Sequence, residues 1–385
     1  MHRFLQKLDR GVGNADKAGD AGDAGDNRDG HTNGDDGDDG DDGDDTYDDT
    51  DFRSRGSSSI AGLPFVDLFC GVGGASTGAA AAGLVPRLAV DSWKDALDTH
   101  SLNHPECEHV QYVLPIDENA LREKITEIRK RGPFVIHGSP PCTILSRANS
   151  MASQKDIDTS VATVDWYLRF AISLNPTAMS FEQVANKHVI DVCNRYKRRY
   201  PKAFDFEVFD FSTLGVPQHR VRVIGGTPKN VIRLRRMSHE KTFSKTANAA
   251  FWLGDAKSCP SEFLGPPKTL RPAKKFQIEK RRLRGCERPK TSIYEPTNTV
   301  TCSSSLMWLD ADGNFIRTIN AGEVAKLQTF PTSYKFTGAS KIDEKLVGNS
   351  LPPLVMQRFY ESAIGDSTTA AFQSVTVATP SERVE

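Results

Sequence analysis

Two rhythms of apolar residues run along the chain from about residue 63. Short, nearly unbroken apolar runs read as strands: PFVDLF (64–69), PRLAVD (86–91), PFVIH (133–137) and AMSFEQV (178–184). A weaker run at 110–114 adds another strand, and FEVFDF (206–211) with VRVIGG (221–226) reads as a closing antiparallel pair. Helical patterns fill the gaps. They are the small-residue stretch ASTGAAAAG stopped at Gly83, a stretch after Asp91, ENALREKITEIRKRG (118–132) with Leu121, Ile125 and Ile128 at helical spacing, and a helix around 164–174. This alternation predicts an α/β fold with a doubly wound, mostly parallel Rossmann-like sheet. Further on, AGEVAKLQTFP (321–331) predicts a helix stopped by proline, and VGNSLPPLVMQRFYESAIG (347–365) a loop followed by a helix.

Composition changes the picture at the two ends of this pattern. Only 38% of the 385 residues are hydrophobic, and the deficit lies in the first 60. There a Gly/Asp repeat places 17 acidic against 7 basic residues, a net of −10, so the rest of the chain carries +9. Such a repeat has nothing to bury and repels itself, which predicts a disordered tail over 1–62. It serves solubility or competes with DNA for the basic body; in the second case its removal raises DNA affinity at low salt. Between 228 and 290, by contrast, 17 Lys/Arg face 5 Asp/Glu, the charge signature of phosphate contacts. The expected organisation is an α/β body over 63–227, a smaller basic segment over 228–315, a return to the body over 316–365, and a flexible tail over 366–385. No stretch approaches the roughly 18 apolar residues of a membrane span, and the seven cysteines form no CxxC pair. An intracellular, non-secreted, DNA-associated monomer without a membrane anchor is expected. HPECEH (104–109) offers ligand types but not a ligand set, so no metal is expected.

The chemistry gathers at strand ends. FCGVGG follows the first strand, where doubly wound sheets bind ligands, although it lacks the G-x-G-x-x-G spacing. Asp91, ending the second strand 20 residues after Gly71, suits ribose hydroxyls, and Trp93 suits an adenine face. In GSPPC (138–142) two prolines with fixed φ and no N–H stiffen the loop that carries Cys142. Glu182 ends the neighbouring strand. A thiol beside a carboxyl suits substitution at C5 of a pyrimidine: thiolate addition at C6, with the acid at N3, makes C5 nucleophilic.

On these residues the sequence resembles the cytosine-C5 DNA methyltransferases, with motifs in their unpermuted order from about 64 to 361. DLFCGVGG, Asp91 with Trp93, GSPPC, FEQV, QHRVR (218–222), RTINAGEVAKLQTFP (317–331) and VGNSLPP (347–353) match seven of them in turn. The resemblance implies S-adenosyl-L-methionine as methyl donor and a cytosine flipped out of double-stranded DNA. It implies Cys142 as nucleophile, with Glu182, Arg220 and Arg222 as its catalytic company, a catalytic and cofactor-binding domain over 63–227 and 316–365, and a target-recognition domain over 228–315. It assigns Phe69, Gly71, Gly73, Gly74, Asp91, Trp93, Pro141 and Asn349 to the cofactor. Ser146, Gln218, Thr299 (in the Thr-containing PTNTVT element), Lys274, Lys275, Arg281 and Arg282 fall to DNA.

Three departures stand out. Gln183 replaces the family's Asn, Leu145 replaces an aromatic, and in VLPID (113–117) Asp117 lies three positions late. An RNA-directed (tRNA) enzyme of the same fold and an inactive DNA-binding paralogue are the alternatives.

Overall fold

Seven strands form the principal sheet in the computed structural model, which describes residues 60–142, 144–146, 152–240, 243, 247–253, 277–280, 290–301, 306–309, 315–338 and 340–361. They are β1 (Pro64–Leu68), β2 (Val85–Asp91), β3 (Glu108–Gln111), β4 (Val135–Gly138), β5 (Ala178–Val184), β6 (Asp205–Asp210) and β7 (Val221–Gly226). Their order is β3-β2-β1-β4-β5-β7-β6. Of these seven, only β7 runs antiparallel to its neighbours. The long apolar runs are explained by helices on both faces. Val66 and Leu68 of β1 pack with α3 (Glu118–Lys130), α4 (Gln154–Ser173) and α5 (Lys187–Arg199) through Leu121, Ile125, Tyr167, Phe170 and Val189. Phe65 joins the opposite cluster with α1 (Gly74–Ala81), α6 (Pro228–Ser238) and α10 (Pro353–Glu361), through Ala79, Val231, Leu234 and Phe359. Each fully buried Phe, Leu or Val contributes about 1.5–3 kcal/mol.

The small residues of α1 have a steric reason. A Cβ on Gly74 would lie 2.0 Å from the Leu351 carbonyl oxygen, and one on Gly78 would lie 2.2 Å from that of Pro353. The segment after residue 347 therefore lies directly on the first helix, beside the glycine loop.

A second sheet is antiparallel, ordered β11-β10-β8-β9. Its strands are β8 (Gln277–Lys280), β9 (Lys290–Ser292), β10 (Leu306–Leu309) and β11 (Phe315–Thr318). Leu306 and Trp308 share a core with Val300, Leu327, Phe330 and Val347, and with Val72 of the glycine loop. The remaining helices are α2 (Lys94–Asn103), α7 (Ala249–Leu253), α8 (Ala321–Leu327) and α9 (Ser340–Asn349).

Five helices differ from the sequence reading. α4 starts ten residues before the apolar run, at a Ser153/Asp156 capping box. α5, α6, α7 and α9 were not anticipated. α6 occupies the first residues of the segment assigned to target recognition, yet Val231 and Leu234 anchor it to the principal sheet. The tails and the Lys/Arg-rich stretch around 281–289 lie outside the described residues. Among the described residues, no helix is long and apolar enough to cross a membrane.

Candidate active site

The loop after β4 carries Cys142 half-buried against the core. β5 lies beside β4 in parallel register, Gly138 opposite Phe181, so Glu182 emerges next to this loop. Burial, and then the Glu182 carboxylate, hold the Cys142 thiol above its ordinary range. The guanidiniums of Arg222 and Arg220 act against that rise. Arg222 Nε lies 3.1 Å from Glu182 Oε1. The contact is an ion pair, because the Nε–H has no aligned acceptor among the described residues. Thiol, carboxylate and two guanidiniums thus meet at the C-terminal edge of β4 and β5.

The substituted amide of FEQV braces this loop. Gln183 is fully buried, its Nε2 donates to the Pro140 carbonyl at 2.9 Å, and its Oε1 accepts from the Val184 N–H at 2.7 Å. Asn186 Nδ2 donates to the Leu145 carbonyl at 3.0 Å. Leu145, in place of an aromatic, is buried in the core. Ser146 is half-buried at the end of the described part of this loop.

Arg220 is a clamp. Its guanidinium donates to the carbonyls of Val300 (2.9 Å) and Ser350 (3.1 Å), joining the PTNTVT element to the last motif. Gln218, expected at DNA, is corrected by its burial. It is 0% exposed, donates to the Leu327 carbonyl and Gln328 Oε1, and accepts from the Val300 N–H, so it pins this seam from inside. Thr299 is half-buried and its hydroxyl donates to the His219 carbonyl. Lys274, Lys275, Arg281 and Arg282 lie outside the described residues.

The glycine loop lies one strand away. Phe69 holds φ 58°, a left-handed conformation costly for a side chain, and its ring meets Trp166 edge-on at 6.2 Å. The Gly71 N–H donates to Asp91 Oδ2 and the Trp93 N–H to Oδ1, both at 2.9 Å. Burial raises the Asp91 carboxyl, and these backbone donors oppose the rise. Space is open where a Gly71 side chain would stand. The Trp93 indole donates to Asp95, and Lys345 Nζ stands 4.7 Å from its ring centroid. Gly73 has φ 92°, and a Cβ there would lie 2.8 Å from the His100 ring. Pro141 and Asn349 are exposed. Asp117, the displaced acid, accepts from the Val113 N–H at 2.7 Å and closes its own turn.

Beneath the loop lies a polar chain that sequence reasoning missed. Buried Asp67 Oδ2 accepts from the Ser76 N–H and hydroxyl; Ser76 Oγ meets His100 Nε2 at 3.0 Å, and His100 Nδ1 meets His109 Nε2 at 2.8 Å. Burial pushes the Asp67 carboxyl up to about 7. Burial, then His104 and His109, hold the His100 imidazole well below its ordinary range. Among the described residues, no three His, Cys, Asp or Glu are grouped to hold a metal ion.

Comparison with known proteins bears on the family and the fold. The family model described as C-5 cytosine-specific DNA methylase matches residues 63–365. The Type II methyltransferase M.HindV of Haemophilus influenzae is 27% identical over 310 residues, 78% of this chain and 95% of the relative. M.HgiDI of Herpetosiphon aurantiacus, also a Type II methyltransferase, is 25% identical over 295 residues, 74% and 89% of the two chains. Among solved structures, the Entamoeba histolytica methyltransferase EhMeth superposes with a TM-score of 0.51 at 15% identity, covering 78% of this chain and 98% of that one. A Spodoptera frugiperda DNMT2 mutant gives 0.50 at 18% identity, covering 79% and 100%. At such identities the structures speak to the fold alone.

Proposed function

The chain belongs to the C-5 cytosine-specific DNA methylase family, and from that premise we propose that it transfers a methyl group from S-adenosyl-L-methionine to C5 of a cytosine in double-stranded DNA. The observation that carries this reading is the meeting of Cys142, Glu182, Arg222 and Arg220 at one sheet edge, beside the glycine loop.

The chain's residues suit an adenosyl cofactor. Asp91 presents two oxygens that each accept one backbone N–H and keep lone pairs for hydroxyl donors. Open space at Gly71, half-buried Trp93 and half-buried Phe69 complete the cradle. When bound there, S-adenosylmethionine supplies an electrophilic methyl group.

Cys142, as thiolate, attacks C6 of a cytosine swung out of the stack, since C6 is out of reach within the duplex. Glu182, in its protonated form, donates a hydrogen bond or its proton at N3, so the electron pair pushed out of the 5,6 double bond is held and C5 becomes the nucleophile. Arg222 orients Glu182 and, with Arg220, favours the thiolate. After C5 takes the methyl group its proton passes to solvent water, the pair returning to form the 5,6 bond expels the Cys142 thiolate, and the N3 proton goes back to Glu182.

The test is incubation of duplex DNA with the full chain and methyl-labelled S-adenosylmethionine, followed by nucleoside mass spectrometry. Labelled 5-methylcytosine in the DNA is the expected product. Label confined to tRNA in a parallel reaction would reassign the substrate, and label in neither would overturn the reading.

A further inference from the structure

Pro140 and Pro141 have no backbone N–H, so this part of the nucleophile loop cannot be tied down by donors of its own. Its carbonyls must be held from outside. The holders come from the end of β5 and from the short turn that leads into α5. The Gln183 amide donates to the Pro140 carbonyl, two residues before Cys142, and the Asn186 amide donates to the Leu145 carbonyl, three residues after it. Each amide oxygen is fixed in turn by nearby backbone: Gln183 Oε1 by the Val184 N–H at 2.7 Å, and Asn186 Oδ1 by the His188 N–H at 2.9 Å, where it caps α5. The two side chains share one design, with the oxygen anchored locally and the NH2 offered to the loop.

We propose that Gln183 and Asn186 are positioning residues, a two-point clamp that sets Cys142 against Glu182 before substrate arrives. The proposal rests on the reading of Cys142 as the nucleophile. Glu182, Gln183 and Asn186 lie within five residues of one backbone, so the stretch that carries the acid also holds both sides of the thiol's loop. Reacting groups misplaced by about 1 Å cost on the order of a hundredfold in rate, which gives such a clamp its value.

Isosteric amide-to-acid variants separate the clamp from the fold. Asn186→Asp keeps the oxygen that caps α5, and a carboxylate is favoured at a helix N-terminus. It replaces the donor to Leu145 with an acceptor facing an acceptor. Gln183→Glu likewise keeps the Val184 bond and breaks the bond to Pro140. Single-turnover methyl transfer, cofactor KM, DNA affinity and melting temperature are to be measured on the full chain, together with the rate at which iodoacetamide alkylates Cys142. Expected for Asn186→Asp is a melting temperature at or above wild type, a transfer rate lower by about tenfold or more, KM and DNA affinity within about twofold, and a changed alkylation rate. Gln183→Glu should lose transfer similarly, and Gln183→Asn, which keeps the amide, should retain more than Gln183→Glu. Wild-type transfer and alkylation rates in both acid variants would overturn the clamp, as would losses that only follow melting temperature or DNA affinity. If the wild type transfers no methyl group, the proposed function fails, and unaltered alkylation in both variants still refutes the clamp.

Discussion

Replacing Asp67 by Asn should cost stability at low pH and turn that cost into a gain at high pH. Asp67 sits in the middle of the principal sheet, 1% exposed. Its Oδ2 takes both Ser76 donors, at 2.6 and 3.1 Å, while Oδ1 has no partner among the described residues. Burial raises its pKa from 3.8 to about 7; the Ser76 bonds oppose that rise and the Asp91 charge adds to it. A carboxyl with a folded pKa above its unfolded one contributes stability fully present below the unfolded value. That contribution is lost as pH rises through the folded value. About three units at 1.36 kcal/mol each makes this loss about 4 kcal/mol between pH 4 and pH 8. Asn keeps an oxygen for both Ser76 donors. Its NH2 falls where Oδ1 lacks a partner, a pH-independent cost of about 1–3 kcal/mol. Urea unfolding of both proteins from pH 4 to 8 separates the two effects. The stability difference, variant minus wild type, should climb with pH by about 4 kcal/mol. A difference that stays constant within about 1 kcal/mol would refute the assignment of a buried, reluctant charge to Asp67.

Arg222→Gln removes a guanidinium that lowers the Cys142 thiol; the pH midpoint of Cys142 alkylation should move upward, and an unmoved midpoint would contradict the coupling. Gly74→Ala drives a methyl group to 2.0 Å from the Leu351 carbonyl. It should cost about 1–3 kcal/mol, read as a lower melting temperature. Gln218→Leu strands the Val300 N–H and the Leu327 carbonyl. It should destabilise by about 1–3 kcal/mol per stranded group while leaving the salt dependence of DNA binding unchanged; a shallower salt slope would restore Gln218 as a DNA contact. Burial lowers His137 to about 3 and His104 to about 4. The stability these neutral rings contribute is present above about 6.5 and lost as pH falls toward those values, so unfolding should become easier in acid from pH 6.5 downward.

The sheet was legible because its strands are covered on both faces, and β5, buried along its whole length, shows this most plainly. α5 could have been found as well: Val189, Val192, Cys193 and Tyr196 follow helical spacing through a stretch crowded with charge. The early turns of α4 are polar, and only the Ser153/Asp156 capping box marks them. At the site, Cys142 and Glu182 could be read because each closes an apolar run. Which way a polar side chain faces could not. Gln218 and Arg220 belong to one QHRVR motif, yet Gln218 turns wholly inward, and its partners lie 82 to 110 residues away in sequence. Gln183 read as a departure because its reach to Pro140 depends on how β4 and β5 lie together. The Asp67–Ser76–His100–His109 chain draws on four elements with no local signature.

The central claim is that Cys142 bonds to cytosine C6 during methyl transfer. Duplex DNA carrying 5-fluorocytosine blocks the release step, because fluorine replaces the proton that C5 must lose. Incubated with the full chain and S-adenosylmethionine, it should give a denaturant-resistant protein–DNA complex whose attachment maps to Cys142 and which Cys142→Ser abolishes. A pool of random-sequence duplexes that yields no such complex, or a complex undiminished in Cys142→Ser, would contradict the account.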